Sequence, residues 1–144
     1  MPRRLPARLP GLLGVAAVKT TILYFDDEVE LLQVFRKTFI REYDVLTALT
    51  LYEARLILSR RPDVIISDLS MPEISGTEFL QEAARVCPGS FRVLLTGYAG
   101  VGDLMREIMG GVVQVFIAKP WDEAGVRRAL ERATLARSQK MGND

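Results

Sequence analysis

Thr21-Ile22-Leu23-Tyr24-Phe25-Asp26-Asp27 decides the fold. Five β-favouring residues run without polar alternation and stop at two adjacent carboxylates. An unalternating run of that length marks a strand buried on both faces, as in a parallel sheet covered by helices. The period then changes. From Val29 to about Arg41, Leu31, Leu32, Phe35 and Phe39 fall on one helical face.

The same alternation continues downstream. Asp44–Thr47 reads as a short strand, and a helix follows from about Leu51 to Ser59, ended by Arg61-Pro62. Val64-Ile65-Ile66 is a second buried strand ending at Asp68. A loop over residues 70–76 leads to a helix from Thr77 to Val86, with Phe79, Leu80, Ala83 and Ala84 inward. Phe91–Leu95 is the next strand and ends at Thr96-Gly97. A weaker helix covers about Asp103 to Met109, stopping at Gly110-Gly111. Val112–Ile117 reads as the fifth strand, and a last helix runs from about Glu123 to Arg137 with Val126, Ala129, Leu130 and Ala133 on one face. Five strands alternating with five helices predict an α/β, doubly wound parallel sheet flanked by helices.

Composition removes whole classes of chemistry. The 144 residues, 49% hydrophobic, suffice for one core and one domain. There is no His and one Cys, Cys87, which excludes His-dependent triads, His-ligated metals and an intramolecular disulfide. Residues 1–19 carry Arg3, Arg4, Arg8 and Lys19 without an acid. Of the 19 bases, 15 then remain against 18 acids, too acidic a body for binding nucleic acid by bulk charge. With Pro2, Pro6 and Pro10, residues 1–19 are expected to be a flexible basic extension. Leu12–Val18 only faintly resembles a signal peptide and is too short to span a bilayer. Residues 138–144 are expected to be a tail.

In open parallel sheets, ligands sit outside the carboxyl ends of the strands. Asp26-Asp27, Asp68, Thr96 and Lys119-Pro120 all fall at such ends. Each has a bland reading alone: a helix cap, a turn residue, a solvated charge. Their joint placement favours a site. Crowded carboxylates repel unless a cation neutralises them, and an all-oxygen donor set suits Mg2+. A lysine and a hydroxyl facing the same point would hold phosphoryl oxygens.

These residues resemble the receiver domain of bacterial two-component response regulators, over about residues 20–137. The resemblance rests on Leu-Tyr-Phe-Asp-Asp-Glu at 23–28, Asp-Leu-Ser-Met-Pro-Glu-Ile-Ser-Gly-Thr-Glu-Phe-Leu at 68–80, Leu-Leu-Thr-Gly-Tyr at 94–98 and Phe-Ile-Ala-Lys-Pro-Trp at 116–121. It implies a flavodoxin-like, CheY-like fold in which Asp68 accepts a phosphoryl group from a sensor histidine kinase or phosphotransfer protein. Asp27, Asp26 (largely through water), Asp68 and the Ser70 carbonyl would hold Mg2+. Lys119 and Thr96 would bind the phosphoryl group, and Gly97 would leave room for access. Pro120 would follow a cis peptide, and Phe116 would be the aromatic switch that, with Thr96, biases the face of helix four, strand five and helix five. Ser70 and Tyr98 would tune phosphoryl lifetime.

The resemblance also implies a cytoplasmic signalling protein that is not an enzyme, a downstream output domain or target, and an activation-dependent homodimer, with neither membrane nor nucleic acid as partner. Lys-Pro-Trp followed by Asp122 looks like a receiver subgroup joined to cyclic-dinucleotide phosphodiesterase or transcriptional outputs. The chain is then either a stand-alone receiver or a piece of a longer regulator. Three alternatives compete: a degenerate receiver that binds partners without phosphorylation, a haloacid-dehalogenase-type phosphohydrolase, and DNA binding through Arg127, Arg128, Arg132 and Arg137. The phosphohydrolase needs Asp-x-Asp where this chain reads Asp26-Asp27-Glu28. The arginines fit the solvent side of an amphipathic helix.

Overall fold

A computed structural model describes residues 18–97 and 99–142. Ten elements follow one another: β1 (Thr21–Phe25), α1 (Val29–Phe39), β2 (Asp44–Ala48), α2 (Leu51–Leu58), β3 (Val64–Asp68), α3 (Gly76–Val86), β4 (Phe91–Thr96), α4 (Ala99–Met109), β5 (Val115–Ala118) and α5 (Glu123–Gly142). The strands form one parallel sheet in the order β2-β1-β3-β4-β5.

That order explains the layers. Right-handed crossovers put a helix on one face when the chain moves one way along the sheet and on the other when it moves back. The step from β1 to β2 goes one way and every later step goes the other. Accordingly α1 and α5 share one face, where Ile22 and Tyr24 meet Leu32, Phe35, Phe39, Val126 and Leu130. On the opposite face Leu23 and Phe25 meet Ala54, Leu58, Phe79, Leu80 and Met109 from α2, α3 and α4. Strand residues alternate between the two faces, so an unbroken apolar run feeds both cores. Connections leave β1 and β3 in opposite directions, which opens a crevice at their carboxyl ends.

Capping boxes begin two of the helices on the second face, Thr50 with Glu53 for α2 and Ser75 with Glu78 for α3. The N-cap of α1 is Glu28, without a side-chain cap bond. Neither Asp26 nor Asp27 takes the cap position, although Asp26 Oδ1 accepts from the Glu28 amide at 3.0 Å.

Three element boundaries differ by three residues or more from those read in the sequence. Helix α4 begins at Ala99, because glycines weaken a helix by about 1 kcal/mol each without forbidding it. Strand β5 begins at Val115 rather than Val112. The amides of Val112 and Val113 both donate to the Met109 carbonyl, so this part of the apolar run turns, with Val113 in the core. Helix α5 continues through Gly142 rather than ending at Arg137 before a tail. Its apolar periodicity stops at Ala133, but no helix breaker intervenes. At the other end, residues 1–17 lie outside the described residues. Lys19 and Thr20 already belong to the body, with the Lys19 ammonium on the Ile40 carbonyl at 3.3 Å and the Asp44 amide on the Thr20 carbonyl at 2.9 Å.

Gly76 sets how closely α3 can approach the end of β3. A Cβ there would sit 2.2 Å from the Asp68 carbonyl oxygen, whereas at Gly97 a Cβ would meet nothing within 4 Å. Gly76→Ala is expected to destabilise the fold by about 1–3 kcal/mol, and Gly97→Ala to leave the melting temperature within a degree or so of the parent, about what a change well under 1 kcal/mol produces. Equal melting temperatures for the two variants would contradict this account.

Candidate functional site

Asp26 is fully buried immediately after β1. An ionised carboxylate there must be hydrogen-bonded or paired. Its Oδ2 accepts from the Tyr24 hydroxyl at 2.7 Å, and its Oδ1 accepts from the Glu28 amide at 3.0 Å. Asp68, the last residue of β3, is 6% exposed. Asp27 and Glu28 are exposed at the rim. Oxygens of Asp26, Asp27, Glu28 and Asp68 all lie within 4.8 Å of one another.

Among the described residues, one cation answers them. Lys119 Nζ stands 3.4 Å from Asp26 Oδ2, 3.3 Å from Asp68 Oδ1 and 3.1 Å from Glu28 Oε2. The backbone brings it there: the Lys119 amide donates to the Thr96 carbonyl at 2.6 Å, and the Lys119–Pro120 peptide is cis. Among the described residues, one ammonium against a cluster of four carboxylates leaves the site net negative. It is an oxygen-only donor set, the chemistry a hard divalent cation takes.

The electrostatics follow from burial. Desolvation, then the neighbouring Asp26 charge, pushes the Asp68 carboxyl above the usual carboxylate range, with Lys119 opposing. Burial alone would lower the Lys119 ammonium, but Asp26, Glu28 and Asp68 together outweigh it and hold it above its ordinary value. Burial, and then Asp26, keep the Tyr24 hydroxyl protonated far into alkali. Tyr24 therefore serves as a donor at every physiological pH.

Asp68 and Lys119 form the floor of an open cleft of ≈ 660 Å³, rimmed by Leu31, Val34, Ser70, Gly97, Pro120 and Trp121. Of the residues singled out in the sequence, Asp26, Asp27, Asp68 and Lys119 form the charge cluster, while Ser70 and Gly97 line its mouth. Thr96 is buried at the end of β4, opposite Ala118 of β5. Phe116 stands apart from the carboxylates, half-buried on the face that carries α3 and α4, with the Arg106 guanidinium 5.7 Å from its ring centre. Tyr98 lies outside the described residues.

Three contributors escaped the sequence reading: Glu28 as a partner of Lys119, and Tyr24 with Trp121. The indole N–H of Trp121 donates to the Tyr24 hydroxyl at 3.3 Å. A tyrosine two positions before Asp26, hence on the same face of the strand, was the available signal, because a buried phenol needs a polar partner.

The raised Asp68 carboxyl has a pH consequence. The native state holds this proton more tightly than the unfolded chain does. Stability is therefore lost as pH rises from the ordinary carboxylate value through the raised one. In metal-free buffer at pH 7, Asp68→Asn is expected to melt above the parent, with the gap closing as pH falls through that window. Melting curves at several pH values with a chelator test this, and a variant less stable than the parent throughout would refute it.

Residues 22–131 match the family described as the response regulator receiver domain. The hydrogenase transcriptional regulatory protein HoxA of Cupriavidus necator is 35% identical over 104 residues, which make up 72% of this chain and 22% of that protein. The transcriptional regulatory protein GlrR of Escherichia coli is 32% identical over 114 residues, 78% of this chain and 26% of that protein. The chain thus spans about a quarter of the length of these curated relatives. Among solved structures, a response regulator receiver domain protein from Clostridium thermocellum superposes with a TM-score of 0.74 at 28% identity, covering 85% of this chain and 98% of that one. A CheY-like receiver domain protein from Methanospirillum hungatei, at 22% identity and a TM-score of 0.73 over 85% of this chain and 99% of that one, shares the fold. With its doubly wound sheet and its acidic cluster at the switch of strand order, this chain belongs to the response regulator receiver domain family.

Proposed function

We propose that this receiver is a phosphoacceptor, with Asp68 as the nucleophile. The observation that carries the reading is the Asp68 carboxylate at the floor of an open cleft, with Lys119 Nζ at 3.3 Å. An Asp68 oxygen attacks the phosphorus of a phosphohistidine presented by a sensor histidine kinase or phosphotransfer protein. The P–O bond forms as the P–N bond breaks, leaving an acyl phosphate on Asp68 and the imidazole as leaving group. Lys119 would pair with the incoming phosphoryl oxygens, and Thr96 would donate its hydroxyl to them.

The net negative, oxygen-only cluster fits Mg2+. Asp27, Asp26, Asp68 and the Ser70 carbonyl would hold it. Bound there, the ion supplies positive charge that offsets carboxylate and phosphoryl repulsion. Ser70 and Tyr98, each two residues beyond a site residue, are assigned to control of water access and hence of phosphoryl lifetime. Gly97, where a side chain would project into open space, keeps the mouth clear.

Thr96 and Phe116 form the assigned switch: movement of the threonine toward the phosphoryl group is read out by the ring on β5. The surface so biased includes exposed Leu104 and Ile108 of α4, an apolar face for an output domain, a target protein or a second copy of the chain. The arginines of α5 do not form a bare basic face. Arg127 pairs with Glu42 at 2.6 Å and Glu123 at 3.0 Å, and Arg137 lies 3.4 Å from Asp63. No helix among the described residues is long and apolar enough to cross a membrane. As a receiver domain, the protein is assigned to the cytoplasm.

Intact mass after incubation with acetyl phosphate and Mg2+ is expected to show one added phosphoryl group, absent from Asp68→Asn and from a chelator control. No addition to the parent would favour a binding-only receiver. Independently, Mg2+ at a hundred times its dissociation constant is expected to stabilise the fold by about 2.7 kcal/mol. Asp27→Ala should lose most of that gain, and an undiminished gain would exclude Asp27 as a ligand.

A further inference from the structure

We propose that Tyr24 is a positioning residue for Asp26, and that Trp121 holds Tyr24 in that role through the chain Trp121 Nε1–H to Tyr24 hydroxyl to Asp26 Oδ2. The proposal rests on the reading of Asp26 as part of a Mg2+ site and adds two residues which that reading does not use.

The donor order is fixed by chemistry. An indole N–H can only donate. Because Trp121 donates to the Tyr24 oxygen at 3.3 Å, the single phenolic proton is directed to Asp26 Oδ2 at 2.7 Å. The phenol ring cannot swing away. Tyr24 is fully buried, its ring centre 4.8 Å from that of Phe35, and Phe35 meets Trp121 edge-on at 5.8 Å. The apolar seam these rings share with Ile66, Val93 and Leu95 has no room for a water molecule, so solvent on that side cannot replace either partner.

The hydroxyl matters because of what else Asp26 Oδ2 faces. Its other neighbour is the Lys119 ammonium at 3.4 Å, longer than a good charge-assisted hydrogen bond. Tyr24 holds the carboxylate at that distance. Without the hydroxyl, the carboxylate is released toward the ammonium, and a tighter Asp26–Lys119 pair competes with a divalent cation for the same oxygens. Partners that orient a metal-binding carboxylate typically contribute 10–100-fold to affinity. Trp121 sits two residues beyond Lys119, so the chain also ties the start of the segment leading into α5 to the carboxylate after β1.

The test is a double-mutant cycle on Mg2+ affinity, measured by calorimetry on the unphosphorylated protein, with the metal-free melting temperature as a check of folding. Tyr24→Phe keeps the ring and is expected to weaken Mg2+ about tenfold. Trp121→Phe keeps an aromatic edge against Phe35 but frees the phenol, and is expected to weaken it about threefold. The double variant should be no weaker than Tyr24→Phe, since Trp121 acts only through Tyr24. A folded Tyr24→Phe within twofold of the parent, or losses that simply multiply, overturns the proposal. A parent indifferent to Mg2+ overturns the metal reading as well. Should Tyr24→Phe not fold, the parent alone still decides. Its single tryptophan lies two hydrogen bonds from the metal carboxylate, so its fluorescence must change at the calorimetric midpoint, and an unchanged spectrum refutes the coupling.

Discussion

The ammonium of Lys119 among Asp26, Glu28 and Asp68 is the interaction on which the arrangement depends. A parallel sheet brings its carboxyl ends together, and here three of them carry acids or a base. Asp26 is wholly buried and Asp68 nearly so, a placement that would be untenable for two like charges without a nearby cation. The lysine that answers them comes from the far edge of the sheet. The same contact therefore ties β5 and the start of α5 to β1 and β3.

That solution is incomplete, and its incompleteness suits a site. One ammonium does not balance four carboxylates, so a residual negative charge faces an open cleft. The cost appears at Asp68, whose carboxyl is displaced upward by burial and by Asp26. Stability and chemistry pull in opposite directions at this residue. A carboxylate that is poorly stabilised in isolation is one that gains from a bound cation.

Packing around the cluster is correspondingly tight on one side and open on the other. Gly76 lets α3 close onto the Asp68 backbone, and the buried rings of Tyr24 and Phe35 seal the site from below. Gly97 and Ser70 leave the mouth accessible. Phe116 lies on the opposite face of β5 from this aromatic seal, among residues of α3 and α4, and only half-buried. The switch role assigned to it draws on that position rather than on any contact with the carboxylates.

The fold was legible because its signals are local. Unalternating runs such as Ile22–Phe25 and Val64–Ile66 could be buried on both faces only in a covered parallel sheet, and the acids that end them located the site. Boundaries were less legible where two pressures overlap: Val112 and Val113 are apolar because they pack in a turn, and α5 outlasts its apolar face. What the sequence determined by itself was the order of the elements and the charges at the strand ends, since hydrophobic period and residue type need no partner to be read. Tertiary structure alone decided that Glu28 shares Lys119, that Gly76 faces the Asp68 carbonyl and that Trp121 reaches Tyr24 across 97 residues of chain. Such contacts depend on distances across the sheet, to which positions along the chain give no direct measure.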